Sequence, residues 1–212
     1  MKISIVTPTF NEVENIEKVY FEIKNKLKEI NCDYEHIIID NNSTDGTITK
    51  IKQLAKEDPN LKIIINAKNY GHIRSPFYGL LQTNSDATIL MASDFQDPID
   101  LIPRYIEEWK GGKKIVLGEK TSSDENMIKY SARTLFYNFL NKISEFELPI
   151  NTTGSGIFDK TVIEKLKNIN DPYPYFRGLI AEIGENINTI EFKQPKRKSG
   201  RTKNNLITLY DI

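Results

Sequence analysis

The sequence holds one cysteine, Cys32, in 212 residues. An internal disulfide is therefore excluded, and the chain fits a reducing compartment. Cys32 itself needs no role beyond that of a small buried or surface residue. A surplus of charge is also missing, since Lys plus Arg and Asp plus Glu each total 29. A dedicated nucleic-acid binder would usually be strongly basic, so no nucleic-acid partner is expected. Long apolar runs are missing too. No stretch approaches the roughly 18 apolar residues of a membrane span. The opening Met1-Lys2-Ile3-Ser4-Ile5-Val6 is too short an apolar run for a signal peptide. The expectation is a cytoplasmic chain, soluble or peripheral to a membrane. No Gly-x-Gly-x-x-Gly follows the first apolar run, and no Gly-x-x-x-x-Gly-Lys occurs, so the common dinucleotide and nucleotide loops are excluded. His36 and His72 are not spaced as metal ligands, and there is no repeat or low-complexity tract.

What is present is an alternation. Apolar runs at 2–6, 34–40, 61–66, 87–91 and 114–118 read as strands. Between them, 13–30, 47–56, 71–83 and 98–109 read as helices, the first with Ile16, Val19, Tyr20, Ile23 and Leu27 at helical spacing. The strands are continuously apolar, as in a parallel sheet buried on both faces. That pattern predicts a doubly wound α/β fold with a mostly parallel central sheet. Past residue 118 the rhythm changes. A long helix is expected over 126–144, with Phe136, Tyr137 and Phe139 as core. A glycine-flanked strand over 154–158, a helix over 160–167 capped by Asp159, an aromatic stretch over 173–183 and a strand over 185–192 follow. The last residues, 206–212, look like the start of a helix. One well-filled core suits this length.

The central run Thr88-Ile89-Leu90-Met91 ends in Ala92-Ser93-Asp94-Phe95-Gln96-Asp97-Pro98. Ligands of open α/β sheets bind at the carboxyl ends of strands, where this loop falls. Carboxylate and amide oxygens from Asp94 and Gln96 suit a hard cation, Mg²⁺ or Mn²⁺, which would carry a ligand's phosphates. The plain alternative makes Asp97 a helix cap with Pro98 at the first helical position. The other strand ends bring Pro8, Phe10 and Glu12, then Asp40 and Asp45, then Asn69 and Gly71, to the same rim. Asp40 ends an apolar strand and is expected to touch a ligand, a base edge or a ribose. Asp45 is expected to serve an Asx turn. Residues 193–203 hold six basic residues and no acid. They fit a diphosphate, an anionic membrane surface at about 1 kcal/mol per near-surface charge, or a solvated loop.

The ordered set Thr7-Pro8-Thr9-Phe10-Asn11-Glu12, Ile39-Asp40-Asn41-Asn42-Ser43-Thr44-Asp45-Gly46-Thr47, Asn69-Tyr70-Gly71 and Ser93-Asp94-Phe95-Gln96-Asp97-Pro98 resembles family 2 glycosyltransferases of GT-A fold. Tyr175-Phe176-Arg177-Gly178-Leu179 and Arg197-Lys198-Ser199-Gly200-Arg201-Thr202-Lys203 are similar to later motifs of its polyprenyl-phosphate branch, which includes dolichol-phosphate mannose synthase. The resemblance implies a single GT-A domain over 1–212, with a nucleotide-sugar half over 1–118 and an acceptor-side half over 119–212. It implies that Pro8, Phe10, Glu12 and Asp40 hold the nucleoside, that Asn69 binds the nucleotide sugar, and that Asp94 and Gln96 reach the metal and diphosphate. Arg197, Thr202 and Lys203 would close over phosphates, Lys120 stands where the branch usually has an arginine, and Arg133 lies on the acceptor side. Two departures stand out. Ala92 replaces the first acid of the branch's Asp-x-Asp-x-Gln, which should weaken the metal or leave Asp97 to contribute. Ser155 follows Gly154 where the branch has an acid. Branch members often continue into transmembrane helices, so the resemblance leaves open a standalone enzyme or one shortened at that boundary.

The implied activity is a metal-dependent, inverting transfer of a sugar from a UDP, GDP, CDP or TDP sugar to a polyprenyl phosphate. Asp94, Asp97, Arg197 and Lys203 are the candidate catalytic groups. Asp97 is the nearest general base for a sugar hydroxyl, so a saccharide acceptor is the alternative. A weakly catalytic nucleotide-sugar-binding protein is favoured by Ala92. A sugar-phosphate nucleotidyltransferase is disfavoured, because a glycine-rich basic loop does not follow the first strand.

Overall fold

The structure is a computed structural model that describes residues 1–122, 152–169 and 171–195. Seven strands among them form one sheet: β1 (Lys2–Thr9), β2 (Asp33–Asp40), β3 (Leu61–Ile65), β4 (Ala87–Leu90), β5 (Ile115–Ser122), β6 (Thr152–Asp159) and β7 (Ile187–Lys193). Their spatial order is β3-β2-β1-β4-β6-β5-β7. The neighbours are parallel except around β6, which runs antiparallel to β4 and to β5. The helices are α1 (Ile16–Glu29), α2 (Thr47–Glu57), α3 (Gly71–Leu81), α4 (Leu101–Lys110), α5 (Lys160–Lys167) and α6 (Phe176–Glu182). This is the doubly wound, mostly parallel fold expected. No helix among the described residues is long and apolar enough to cross a membrane. The helix expected over 126–144 and the one starting at 206 lie outside the described residues.

The continuous apolar strands are shared out by their period of two. On one face Ile3, Ile5 and Ile89 pack with Val19 and Ile23 of α1 and Ile102 of α4. On the other, Val6, Ile37 and Ile39 pack with Phe77 and Leu80 of α3 and Val162 of α5. Ile38 points the opposite way from its neighbours, onto Ile16, Tyr20 and Ile51. Each fully buried aliphatic side chain of this kind contributes about 1.5–3 kcal/mol. Gly156 permits the tight mid-sheet contact of β6 with β5, since a Cβ there would lie 2.3 Å from the Val116 carbonyl oxygen.

Several element ends differ from the sequence expectation, each for a local reason. β1 runs on through Pro8 to Thr9. Its pairing with β4 stops at Val6 and Leu90, so the N–H that proline lacks is not needed on that side. α1 starts at Ile16 because 12–15 form a turn, in which the Asn15 and Ile16 amides both donate to the Glu12 carbonyl at 3.0 and 2.9 Å. α4 starts at Leu101, after a turn in which the Leu101 amide donates to the Pro98 carbonyl at 3.0 Å. Asp97 is therefore not the cap of α4. The aromatic stretch yields a short helix, α6, which packs Leu179 and Ile180 into the core.

These directions fix where a ligand can meet the sheet. The carboxyl ends of β1 through β5 and of β7 lie on one rim. β6 enters at that same rim, because Thr152 pairs with Glu119 near the end of β5.

Candidate functional site

The loops after β1, β2 and β3 are laced together by side-chain hydrogen bonds. Asp40 is fully buried, and both its oxygens accept from Ser43, at 2.8 Å from the amide and 2.6 Å from the hydroxyl. The Ser43 hydroxyl in turn accepts from the Asn11 amide at 2.8 Å, and Asn11 Oδ1 accepts from the Thr44 amide at 2.7 Å. Asp45 accepts from the Thr47 amide and hydroxyl at 3.0 and 2.6 Å and from the Val13 amide at 3.2 Å, which is the turn role expected of it. Glu12 is buried and accepts from Asn15 Nδ2 at 2.7 Å. Asn41 joins the third loop. Its Nδ2 donates to Asn69 Oδ1 at 2.8 Å and to the Gly71 carbonyl at 3.0 Å, and its Oδ1 accepts from the Tyr70 amide at 2.9 Å. Among the described residues, three of the four non-glycine residues at positive φ sit in rim loops: Asn11 at 53°, Asn42 at 66° and, in the loop after β4, Phe95 at 60°. Backbone held in this region costs energy and clusters at ligand-binding sites.

Phe95 explains the shape of the central loop. Its ring is buried in the core beneath α1 and α4, and its left-handed backbone reverses the chain around it. Burial then alternates from Met91 to Pro98: Ser93, Phe95 and Asp97 point inward, while Asp94 and Gln96 are partly open. The Ser93 hydroxyl donates to the Pro8 carbonyl at 3.0 Å and pins the loop to β1. Asp94 Oδ1 accepts from the Gln96 amide at 3.1 Å. Among the described residues no cluster of three or more His, Cys, Asp or Glu could hold a metal by itself. One carboxylate and one amide on the open side fit a hard cation whose shell is completed by a diphosphate and water. Asp94 and Gln96 are the residues that would hold it.

A family model described as glycosyl transferase family 2 matches residues 4–167. The chain belongs to glycosyl transferase family 2. A bactoprenol glucosyl transferase of Shigella phage SfX is 30% identical, covering 100% of this chain and 70% of that protein. A prophage bactoprenol glucosyl transferase homolog of Escherichia coli is likewise 30% identical over 100% of this chain and 70% of its own length. An uncharacterized glycosyltransferase of Bacillus subtilis is 29% identical over 94% of this chain, which spans only 62% of that relative. Among solved structures, a Pyrobaculum calidifontis mannosyltransferase in complex with GDP-Man and Mn²⁺ superposes with a TM-score of 0.62 at 19% identity, over 92% of this chain and 58% of that one. Glucosyl-3-phosphoglycerate synthase from Mycobacterium tuberculosis, in complex with Mn²⁺, UDP-Glc and phosphoglyceric acid, gives 0.63 at 18% identity, over 99% and 74%. These establish the GT-A fold.

In this family 2 chain the rim beside the central loop is acidic and buried. Asp97 is 5% exposed, and its Oδ1 has no hydrogen-bond partner among the described residues. Burial pushes its carboxyl up to about 6, and the charge of Asp94 adds to the rise, against Thr153 and Lys120, which pull it down. His36 is buried at the middle of β2, with Nε2 2.9 Å from the Thr7 hydroxyl and Nδ1 without a partner. Burial lowers its imidazolium from an ordinary 6.5 to about 3.

The two groups act on stability in opposite directions. His36 stays neutral in the fold, so its contribution is present above pH 6.5 and is lost as pH falls toward 3. Asp97 has a raised folded value, so its contribution is present below 3.8 and is lost as pH rises through about 6. The slopes, up to about 1.4 kcal/mol per pH unit each, offset one another where the windows overlap. Melting curves between pH 4 and 6 are therefore expected to change little from these groups in the parent. Asp97→Asn should lose stability on acidification through that range, and His36→Gln should gain it. Parallel slopes in both variants would contradict the assignment.

The structure brings Pro8, Phe10, Glu12, Asp40, Asn69, Asp94, Gln96, Asp97 and Lys120 to one rim. Arg133, Arg197, Thr202 and Lys203 lie outside the described residues. Arg177 reaches the same edge and donates to the Thr152 carbonyl at 2.8 Å. Sequence reasoning overlooked Asn41 and Ser43, which join the loops. Their signal was weak, a polar pair inside a turn-rich stretch that pairs with residues about thirty positions away.

Proposed function

We propose that this chain transfers a sugar from a nucleotide diphosphate sugar to a polyprenyl phosphate at the cytoplasmic face of a membrane, with inversion and with Mg²⁺ or Mn²⁺. The observation that carries the proposal is the meeting of the partly open Asp94 and Gln96 with the interlaced loops of β1, β2 and β3. The two relatives named as bactoprenol glucosyl transferases supply the acceptor. The loops after β1 and β2 form the wall for the nucleoside, which Pro8, Phe10 and Glu12 line. Asp40 keeps that wall in shape through Ser43, and Asn41 sets Asn69 and Tyr70 beside it. Asp94 and Gln96 hold the cation over the diphosphate. The cation supplies charge neutralisation of the departing diphosphate as a Lewis acid. Lys120, Arg197, Thr202 and Lys203 supply positive charge and hydrogen bonds to phosphate oxygens. The basic residues from 193 onward also favour an anionic lipid surface.

A polyprenyl phosphate is already ionised and needs no general base. Asp97 favours a second acceptor, a saccharide hydroxyl. Its carboxyl is buried at the rim, unpartnered at Oδ1 and raised toward neutrality, as suits a group that takes a proton near pH 7. Thermal-shift measurements with UDP, GDP, CDP and TDP sugars, with and without Mn²⁺, test the donor. One base class is expected to raise the melting temperature, and to do so more with Mn²⁺. The stabilising donor is then supplied with undecaprenyl phosphate in detergent or with an oligosaccharide. A lipid-linked product supports the first acceptor and an extended saccharide the second. No shift with any nucleotide sugar would reject both.

A further inference from the structure

Away from the central loop, a cleft of about 720 Å³ opens between the end of β3, α3 and the chain that follows α5. It starts at the rim, where Asn66 and Tyr70 line it. It then runs down α3 past Arg74, Tyr78 and Leu81, which share one helix face. Ile64, Phe77 and Ile169 make the lining apolar, and each is at least partly buried. Among the described residues five large apolar side chains are exposed, and three of them border this cleft: Ile65 at 38%, Tyr78 at 50% and Tyr173 at 75%. Exposed apolar groups gathered in one place mark a contact surface.

The charge of this face is almost all of one sign. Residues 61–85 hold Lys62, Lys68 and Arg74 and no acid. Lys62 pairs with Glu35 at 2.6 Å. Lys68 and Arg74 form no ion pair among the described residues, and each lies over a tyrosine ring instead. Lys68 is 5.3 Å from the centroid of Tyr70, and Arg74 is 5.1 Å from that of Tyr173. Arg74 Nε also donates to the Tyr70 carbonyl at 3.1 Å, which fixes the guanidinium above the cleft. Lys167 borders the far end and donates to the Thr83 carbonyl at 2.6 Å. The single acid of the lining, Asp171, accepts from the Tyr173 amide at 2.8 Å.

A purely apolar partner would leave these cations unmatched, and a nucleic acid would leave the isoleucines unmatched. An anionic phospholipid surface matches both. Acyl chains meet the isoleucines, tyrosine rings take the headgroup level, and lysine and arginine reach the phosphates. We propose that this cleft is the face with which the protein rests on an anionic phospholipid membrane. This rests on the reading of a chain that works at a membrane, and it adds the surface that meets the lipid. Because the cleft begins at Asn66 and Tyr70, contact there sets the rim beside the bilayer from which a lipid-linked acceptor would be drawn.

The test is flotation of the whole chain with vesicles of phosphatidylcholine, alone or in equal parts with phosphatidylglycerol, at low ionic strength. The parent is expected on the anionic vesicles only. Tyr78→Ser with Tyr173→Ser should weaken binding about tenfold through lost apolar contact. Lys68→Gln with Arg74→Gln should weaken it about thirtyfold through two lost charges. All four side chains are exposed, so melting temperatures should stay within about 2 °C of the parent. A local probe separates this face from the basic residues after 193: the emission added by Tyr173→Trp should shift to the blue on anionic vesicles. A parent that stays off those vesicles, cleft variants that bind as the parent does, or an emission that does not shift would each overturn the inference. A dimer in sedimentation that the tyrosine pair dissolves, with vesicle binding unchanged, would assign the cleft to a second copy instead. Vesicle binding that the cleft variants weaken, in a parent that turns over no donor, would reject the transfer proposal and leave this one standing.

Discussion

Asp94→Asn is expected to fold as the parent does and to lose turnover by on the order of 10²-fold or more, equal to about 2.7 kcal/mol or more of transition-state stabilisation. The substitution keeps the shape of the side chain and its bond to the Gln96 amide. It removes the one carboxylate on the open side of the central loop. With Ala92 in place of a second acid, that carboxylate would be the main protein charge on a bound cation. Mn²⁺ should then bind weakly alone and much better with a nucleotide diphosphate, whose oxygens complete the shell. Ala92→Asp should tighten the binding of Mn²⁺ alone. Turnover, Mn²⁺ dependence and melting temperature of the three proteins decide the matter. Unchanged turnover of Asp94→Asn in a chelating buffer would sink the metal mechanism.

The second large effect falls on stability. Gly156→Ala should cost about 3 kcal/mol, at the upper end for overpacking a core. The added methyl would meet the Val116 carbonyl oxygen at 2.3 Å, with Leu117 Cδ2 at 2.9 Å. A carbonyl inside a sheet cannot give way as the end of a flexible side chain can. β6 is bonded on both edges, to β4 and to β5, so relief on one side strains the other. Melting followed by circular dichroism should show a drop of roughly 6–12 °C. A drop under 2 °C would mean that the sheet absorbs the methyl and that β5 and β6 are less tightly held than described.

Much of the sheet was legible because burial on two faces leaves a plain mark. Ile37, Ile38 and Ile39 are apolar whichever way they point, and the run announces β2 without an alternation. The turn role of Asp45 was legible too, because an acid two residues before Thr47 matches a known local bond pattern. Direction was not legible. Nothing in Gly154 to Phe158 tells a parallel from an antiparallel strand, and only the partners Leu90 and Leu117 decide it. The start of α4 was obscured by Asp97 before Pro98, which mimics a capped helix. Burial of Asp97 against Thr153 and Ser155 is a long-range fact that no local pattern carries. The local partner of Asp40 was not legible either. A carboxylate ending an apolar strand does call for a reason, but both its oxygens answer to Ser43, three residues on.

The reversed course of β6 bears on how such a chain changes over evolutionary time. β5 ends, β6 begins and β7 ends at the rim. The segment between residues 122 and 152 therefore has both its anchors at this rim, and the stretch after Lys193 leaves from the same edge. Insertions, deletions or exchanges there leave every strand register intact. The first four strands, whose loops carry the proposed nucleoside wall and cation site, are insulated from such edits. If the chain works as proposed, variation in acceptor can thus accumulate on a donor site that stays fixed, a separation of labour set by the orientation of one strand.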